Sequence, residues 1–244
     1  MKLLAVILGL VTFSVSVRAA EPAPFLYNHE RILFQGDSIT DGGRQRAGND
    51  LNHIMGQDYA YLIAARLGAQ FPDRQLTFLN RGISGNTVTD LAARWQGDAL
   101  DLKPDVISIL VGVNDTADVV DGRAKAVTAG QFEQTYDRLI EDTLAGLPKV
   151  RLVLCEPFVL PVGRVKAGWE KWSVEMASRR QIVAKLAAKH HLPFVPFQTV
   201  FDGACRRAPA DYWLWDGVHP TYAGHELMAD AWLRALDALP PAGK

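Results

Sequence analysis

Five short apolar runs, each followed by a stretch of helical pattern, constrain this chain more than any other feature. The runs fall at residues 31–35, 76–80, 106–111, 150–154 and 193–196. The helical patterns fall at 59–67, 87–102, 132–147, 173–190 and 222–239, the last stopped by Pro240-Pro241. Residues 106–111 read Val-Ile-Ser-Ile-Leu-Val, a near-continuous apolar run of the kind found in strands buried on both faces. Repeated βα units with such strands require a parallel sheet covered by helices on both sides. The expectation is an α/β fold, a single doubly wound three-layer sandwich with a five-stranded parallel sheet. Five strands are too few for an eight-stranded barrel. In sheets of this kind ligands bind beyond the carboxyl ends of the strands.

The 244 residues allow one or two domains and bury a sizeable core. Neither a repeat nor a linker divides them, so one domain is expected over 31–239, with 240–244 as a tail. Charge removes two partner classes. Lys and Arg number 26 against 27 Asp and Glu, which leaves no basic footprint for nucleic acid and no polybasic patch for a membrane surface.

The first residues read differently from the rest. Lys2 precedes an uncharged, mostly apolar run over residues 3–17, and Val17-Arg18-Ala19 places small residues around a cut after Ala19. This is the pattern of a secretory signal peptide over 1–19, and the run is too short for a membrane span of about 20 residues. Residues 20–30 then read as an extended leader. The expected product is exported, periplasmic or secreted, with no integral membrane association. Export permits a disulfide between Cys155 and Cys205, the only cysteines. The sequence leaves that pairing open, and their spacing does not resemble a zinc site.

Four polar motifs sit at strand ends or loops. Gly36-Asp37-Ser38-Ile39-Thr40 follows the first strand, so Ser38 is either a nucleophile at the sheet edge or an N-cap serine. Residues 80–87, Asn-Arg-Gly-Ile-Ser-Gly-Asn-Thr, follow the second strand. Their glycines let backbone approach a ligand, or simply form a turn capped by Thr87, and they lack the phosphate-loop and dinucleotide spacings. Gly112-Val113-Asn114-Asp115 follows the third strand, where Asn114 is an anion donor or an ordinary turn residue. Trp215-Asp216-Gly217-Val218-His219-Pro220 precedes the last helix. There Asp216 lies three residues before His219, close enough to orient the imidazole if the segment turns.

Taken together, in this order over residues 36–220, the four blocks resemble those of the SGNH hydrolases, also called GDSL esterases and lipases. The resemblance implies that family's flavodoxin-like sandwich and a Ser-His-Asp triad. It makes Ser38 the nucleophile, His219 the general base and acid, and Asp216 its orienter. The oxyanion hole it implies is the backbone N–H groups of Ser38 and Gly85 with the Asn114 amide. It implies chemistry without a metal or organic cofactor.

The longer stretches at 36–41, 81–88 and 215–220 resemble a branch that includes acetylxylan esterases. That implies a short-chain, acetyl-type ester on carbohydrate, so the partner is a small-molecule or glycan ester. Two other classes remain: a lysophospholipase or thioesterase on acyl lipids, and a non-catalytic glycan-binding module on the same fold. Trp215, with Tyr212 and Trp213 before it, is a candidate wall of the acyl pocket or a core residue. The polar segment 44–55, which carries His53, is a candidate mouth of the site.

Overall fold

In the computed structural model, which describes residues 26–237, the chain forms five βα units in sequence order. Strand β1 (Arg31–Gly36) is followed by the short helix α1 (Ser38–Asp41) and by α2 (Tyr59–Gln70). Next come β2 (Thr77–Asn80) and α3 (Val88–Asp98), then β3 (Val106–Leu110) with α4 (Val113–Val120) and α5 (Ala129–Gly146). Strand β4 (Arg151–Cys155) leads into α6 (Gly163–Lys166) and α7 (Trp169–Lys189). The short β5 (Phe194–Val195) precedes α8 (Phe197–Ala204), α9 (Ala210–Trp213) and α10 (Tyr222–Asp237). The segment read as a signal peptide, residues 20–25 of the leader and the tail lie outside the described residues. Residues 26–30 pack on the fold: Leu26 is buried, and Glu30 pairs with Arg151 at 2.6 Å.

The strands are all parallel, in the order β2-β1-β3-β4-β5. From β1 the chain turns to one side, and from β3 to the other. The reversal opens a crevice past the carboxyl ends of β1 and β3, the switch point where such sheets hold ligands. The Ser38 motif follows β1 and the Asn114 motif follows β3.

Period-two alternation divides the core into two layers. Ile32, Phe34, Val106, Leu110, Val153 and Cys155 face the side covered by α2, α8 and α10. Leu33, Ile107, Ile109, Leu152 and Leu154 face the side covered by α3, α5 and most of α7. Two polar residues inside this sheet have partners, as burial requires. Ser108 accepts from Trp232 Nε1 at 2.9 Å and lies 3.4 Å from Cys155 Sγ. Gln35 donates to the Asp98 carbonyl at 2.6 Å and accepts from Arg94 at 2.9 Å.

Helix starts follow their caps. Asp58 accepts from the Tyr61 N–H at 2.9 Å, and Thr87 with Asp90 and Thr128 with Gln131 form capping boxes. The helical pattern read over 87–102 is therefore α3 capped by Thr87, followed by a separate 3₁₀ turn at Leu100–Leu102. Helix α5 starts three residues before 132, and α7 four residues before 173. Cys155 and Cys205 are both free thiols, Cys155 being buried in β4. Burial pushes the Cys155 thiol up to about 12.

Candidate active site

The turn after β1 is tight because Gly36 lies against β3. A Cβ there would collide with Thr40 Oγ1 and the Leu110 carbonyl oxygen. Asp37, not Ser38, is the cap of α1, accepting from the Ile39 N–H at 3.0 Å. Ser38 is thus the first helical residue. Its hydroxyl is half-buried, and its N–H has no acceptor among the described residues.

The Ser38 Oγ lies 2.8 Å from His219 Nε2, although the residues stand 181 apart in sequence. On the other side of the ring, His219 Nδ1 lies 2.8 Å from Asp216 Oδ2. The three-residue spacing works because the segment turns. Asp216 Oδ1 accepts from the Val218 and His219 N–H groups at 2.9 and 2.7 Å, and Gly217 sits at φ 91°. The Trp215 N–H closes the turn by donating to the His219 carbonyl at 3.1 Å. Arg164, a residue the sequence did not single out, places its Nε 3.3 Å from Asp216 Oδ2. Burial acts to raise the Asp216 pKa, but the bonds from the His219 ring and the two N–H groups outweigh it and hold the carboxyl at about 2. Asp216 is therefore an ionised acceptor.

Two further sequence motifs lie in the loops after β2 and β3. Gly85 has φ 85°, and its N–H has no acceptor among the described residues. Its loop is tied to α1 through buried Asp41, whose Oδ2 accepts from Ser84 N–H and Oγ at 2.9 and 2.8 Å and from Arg46 at 2.7 Å. Asn114 donates one amide hydrogen to the Asn86 carbonyl at 3.0 Å, and the second has no partner among the described residues. Here the reading of Gly112-Val113-Asn114-Asp115 as a turn is refined: Val113 opens α4. Asp115, fully buried in its first turn, accepts from the first N–H of α3, that of Val88, at 3.2 Å. That contact fixes the Asn114 loop against the Gly85 loop.

The aromatics divide. Trp215 is 63% exposed and stacks on the His219 ring, centroids 5.7 Å apart and planes 18° apart. Trp213 is buried in the core, with Tyr212 against it edge-on. Trp213 is therefore no pocket wall. His53, in the polar segment, pairs with Asp50 at 2.7 Å. Asp137, Glu141 and His190 group three possible metal ligands within 4.8 Å, but Lys189 already sits 2.6 Å from Asp137 and 3.3 Å from Glu141.

Asp37 carries a testable cost. It is buried, its Oδ2 has no partner among the described residues, and burial pushes its pKa from 3.8 up to about 7 against the pull of the Ile39 N–H and His219. An unfolded chain gives up this proton near its ordinary value, and the folded chain only near 7. Wild-type stability thus falls from about pH 4 to about pH 7 on this account and is level above. Asn keeps the cap and has no charge to bury. The Tm gain of Asp37→Asn over wild type is expected to be smallest near pH 4, to grow to several degrees by about pH 7, and then to stay constant. Thermal melts across that range check it, and a gain independent of pH contradicts it.

Residues 34–227 match the family model described as the GDSL-like Lipase/Acylhydrolase family. Over 212 residues the chain is 34% identical to an acetylxylan esterase of Geobacillus stearothermophilus, covering 85% of this chain and 94% of that one. Its fold is similar to a crystal structure of a candidate GDSL-like lipase from Parabacteroides merdae, with a TM-score of 0.83 and 40% identity over 88% of this chain and 99% of that one. It is also similar to a mutant of Axe2, an acetyl-xylooligosaccharide esterase from Geobacillus. There the TM-score is 0.78 and the identity 32%, over 90% and 99% of the two chains.

Proposed function

Because the chain belongs to the GDSL-like lipase/acylhydrolase family, we propose that it is a serine esterase that removes acetyl groups from carbohydrate, with Ser38, His219 and Asp216 as its triad. As a member it is a carboxylic ester hydrolase. The observation that carries the residue roles is the unbroken relay from Ser38 Oγ through the His219 ring to Asp216, with both contacts at 2.8 Å. The acetylxylan esterase relative supports the substrate class.

In the proposed reaction, His219 Nε2 takes the Ser38 proton as Oγ attacks the ester carbonyl. Asp216 holds the proton on Nδ1 and stabilises the imidazolium that forms. The tetrahedral oxyanion accepts from the Ser38 and Gly85 N–H groups and the second Asn114 amide hydrogen. Removal of one such donor typically costs about 10²–10³ in kcat. The imidazolium returns its proton to the leaving alcohol, and water then attacks the acyl-enzyme by the same steps in reverse.

Acyl length is the test of the substrate class. Each buried methylene contributes only ~0.8 kcal/mol, less than the strain of forcing a chain past a wall. The stacking of Trp215 on His219 supports reading Trp215 as that wall. Across p-nitrophenyl esters, kcat/KM is expected to fall from acetyl to butyryl and to be negligible by octanoyl. A maximum at octanoyl or longer favours the lipid hydrolase instead. A maximum that lengthens only in Trp215→Ala assigns the wall to Trp215.

Export belongs to the same proposal, with residues 1–19 as a cleaved signal, 20–30 as leader, 31–239 as the hydrolase domain and 240–244 as tail. The mature protein is expected to begin at Ala20 on N-terminal sequencing, and a secreted chain that keeps Met1 contradicts it.

A further inference from the structure

A cavity of about 560 Å³ that the mechanism above does not use is lined by segments that follow Ser38 and His219 in sequence, and one of its residues, His225, feels the His219 ring electrostatically. Its wall comes from the segment after α1, the start of α2 and the start of α10. Gly43 comes directly after Gly42, the cap that ends the Ser38 helix, and Tyr222 follows His219 by three residues. Ser38, Gly85, Asn114, Asp216 and His219 do not line it. Its size suits a small molecule, within the range of about 300–1,000 Å³ usual for ligand pockets. An acetyl group is far smaller, so an ester's alcohol half is the part that fits.

The lining chemistry narrows the occupant. His225 Nδ1 accepts the Tyr59 N–H at 3.2 Å, which fixes the proton on Nε2. Burial, with the nearby charge of His219 adding to it, lowers the His225 pKa to about 4, so the ring is a neutral donor. Among the described residues, Nε2 has no protein partner, and neither do the side-chain amides of Asn52 and Gln57. The charged groups of the lining are occupied elsewhere. Glu226 pairs with Arg66, and the Asp58 oxygens take the Tyr61 N–H and the Asn80 amide. Among the described residues no Lys or Arg lines the cavity, so it offers no fixed positive charge to a phosphate headgroup. Tyr222 stands on its rim 85% exposed, a flat ring with water on most of its surface.

We propose that this cavity binds the alcohol half of the ester, a neutral sugar. The His225 Nε2–H and the Asn52 and Gln57 amides read its hydroxyls, and Tyr222 covers one face of its ring. The assignment rests on the carbohydrate-esterase reading and adds where the sugar sits.

The test compares two acetyl donors that share an acyl group and differ in the alcohol: acetylated xylotetraose and p-nitrophenyl acetate. For Tyr222→Ala and His225→Ala, the ratio of kcat/KM on the first to that on the second is expected to fall about tenfold, the worth of one such contact. A merely structural role lowers both activities together and leaves the ratio unmoved. Tyr222 is a surface residue, so its variant keeps the test open if His225→Ala does not fold. In calorimetry, unacetylated xylotetraose is expected to bind Ser38→Ala protein and to lose about tenfold in affinity when Tyr222→Ala is added.

Wild-type turnover of acetylated xylotetraose with an unchanged ratio in both variants overturns the subsite and leaves the esterase reading standing. Variants that alter only the octanoyl-to-acetyl ratio overturn it too, by assigning the cavity to acyl chains. A wild-type enzyme that hydrolyses p-nitrophenyl acetate, ignores the acetylated sugar and does not bind xylotetraose overturns both readings.

Discussion

Ser38→Ala is expected to lower kcat on p-nitrophenyl acetate by about 10⁶-fold, the scale seen when a triad serine is removed. The Oγ is the group that His219 Nε2 addresses at 2.8 Å, and the alanine has nothing with which to attack the carbonyl. Residual turnover is what the oxyanion donors and binding supply on their own. Stability is expected to move little, because the residue is half-buried and, among the described residues, its hydroxyl bonds to His219 alone. A fluorophosphonate probe is expected to mark Ser38 and no other residue in wild type, and nothing in the variant. A variant with near-full activity, or a label elsewhere, rejects Ser38 as the nucleophile.

Asp216→Asn is the next largest effect, expected at about 10⁴-fold in kcat with little change in KM. The carboxylate does two jobs with two oxygens. Oδ2 accepts from the imidazole, and Oδ1 accepts from two backbone N–H groups that hold the turn. An amide has one acceptor oxygen. If that oxygen keeps the turn, the amide nitrogen faces Nδ1 and drives the ring proton to Nε2, where the base is needed. If the amide flips, the turn loses its acceptor. Arg164, 3.3 Å from Oδ2, adds a cation that favours the ionised form. Steady-state kinetics separate the alternatives, and a change confined to KM gives Asp216 a different role.

The architecture was readable because each strand carried its own signal. Residues 106–111 are apolar but for Ser108, and the β1 and β3 motifs sit where a reversal of strand order places them. Adjacent positions defeated the same logic. Trp213 and Trp215 are two residues apart and equally aromatic, yet one is buried and the other 63% exposed. Trp213 ends helix α9, whereas Trp215 lies past the Leu214 cap, in the segment that bridges back to Pro220. No local pattern encodes that fold-back.

Helix α4 was hidden for another reason. Val-Asn-Asp-Thr-Ala-Asp-Val-Val is poor in strong helix formers. It is held by tertiary contacts, among them Asp115 on the first N–H of α3. The contact of Arg164 was equally invisible, since it joins the short helix α6 to Asp216, 52 positions away, and depends on Gly163 packing against the Asp216 backbone. Ser38, Gly85, Asn114, Asp216 and His219 were legible as motifs. That Ser38 meets His219 is a property of the fold, which brings the end of β1 to the turn before α10.

The most direct test of the account is to quench wild-type enzyme during turnover of acetylated xylotetraose and map its peptides by mass spectrometry. The account predicts one acetyl group, carried on the Ser38 peptide, with free acetate accumulating and neither signal present in Ser38→Ala. Acetate released without an acetyl on Ser38, or an acetyl held on another residue at the same rate, would contradict it.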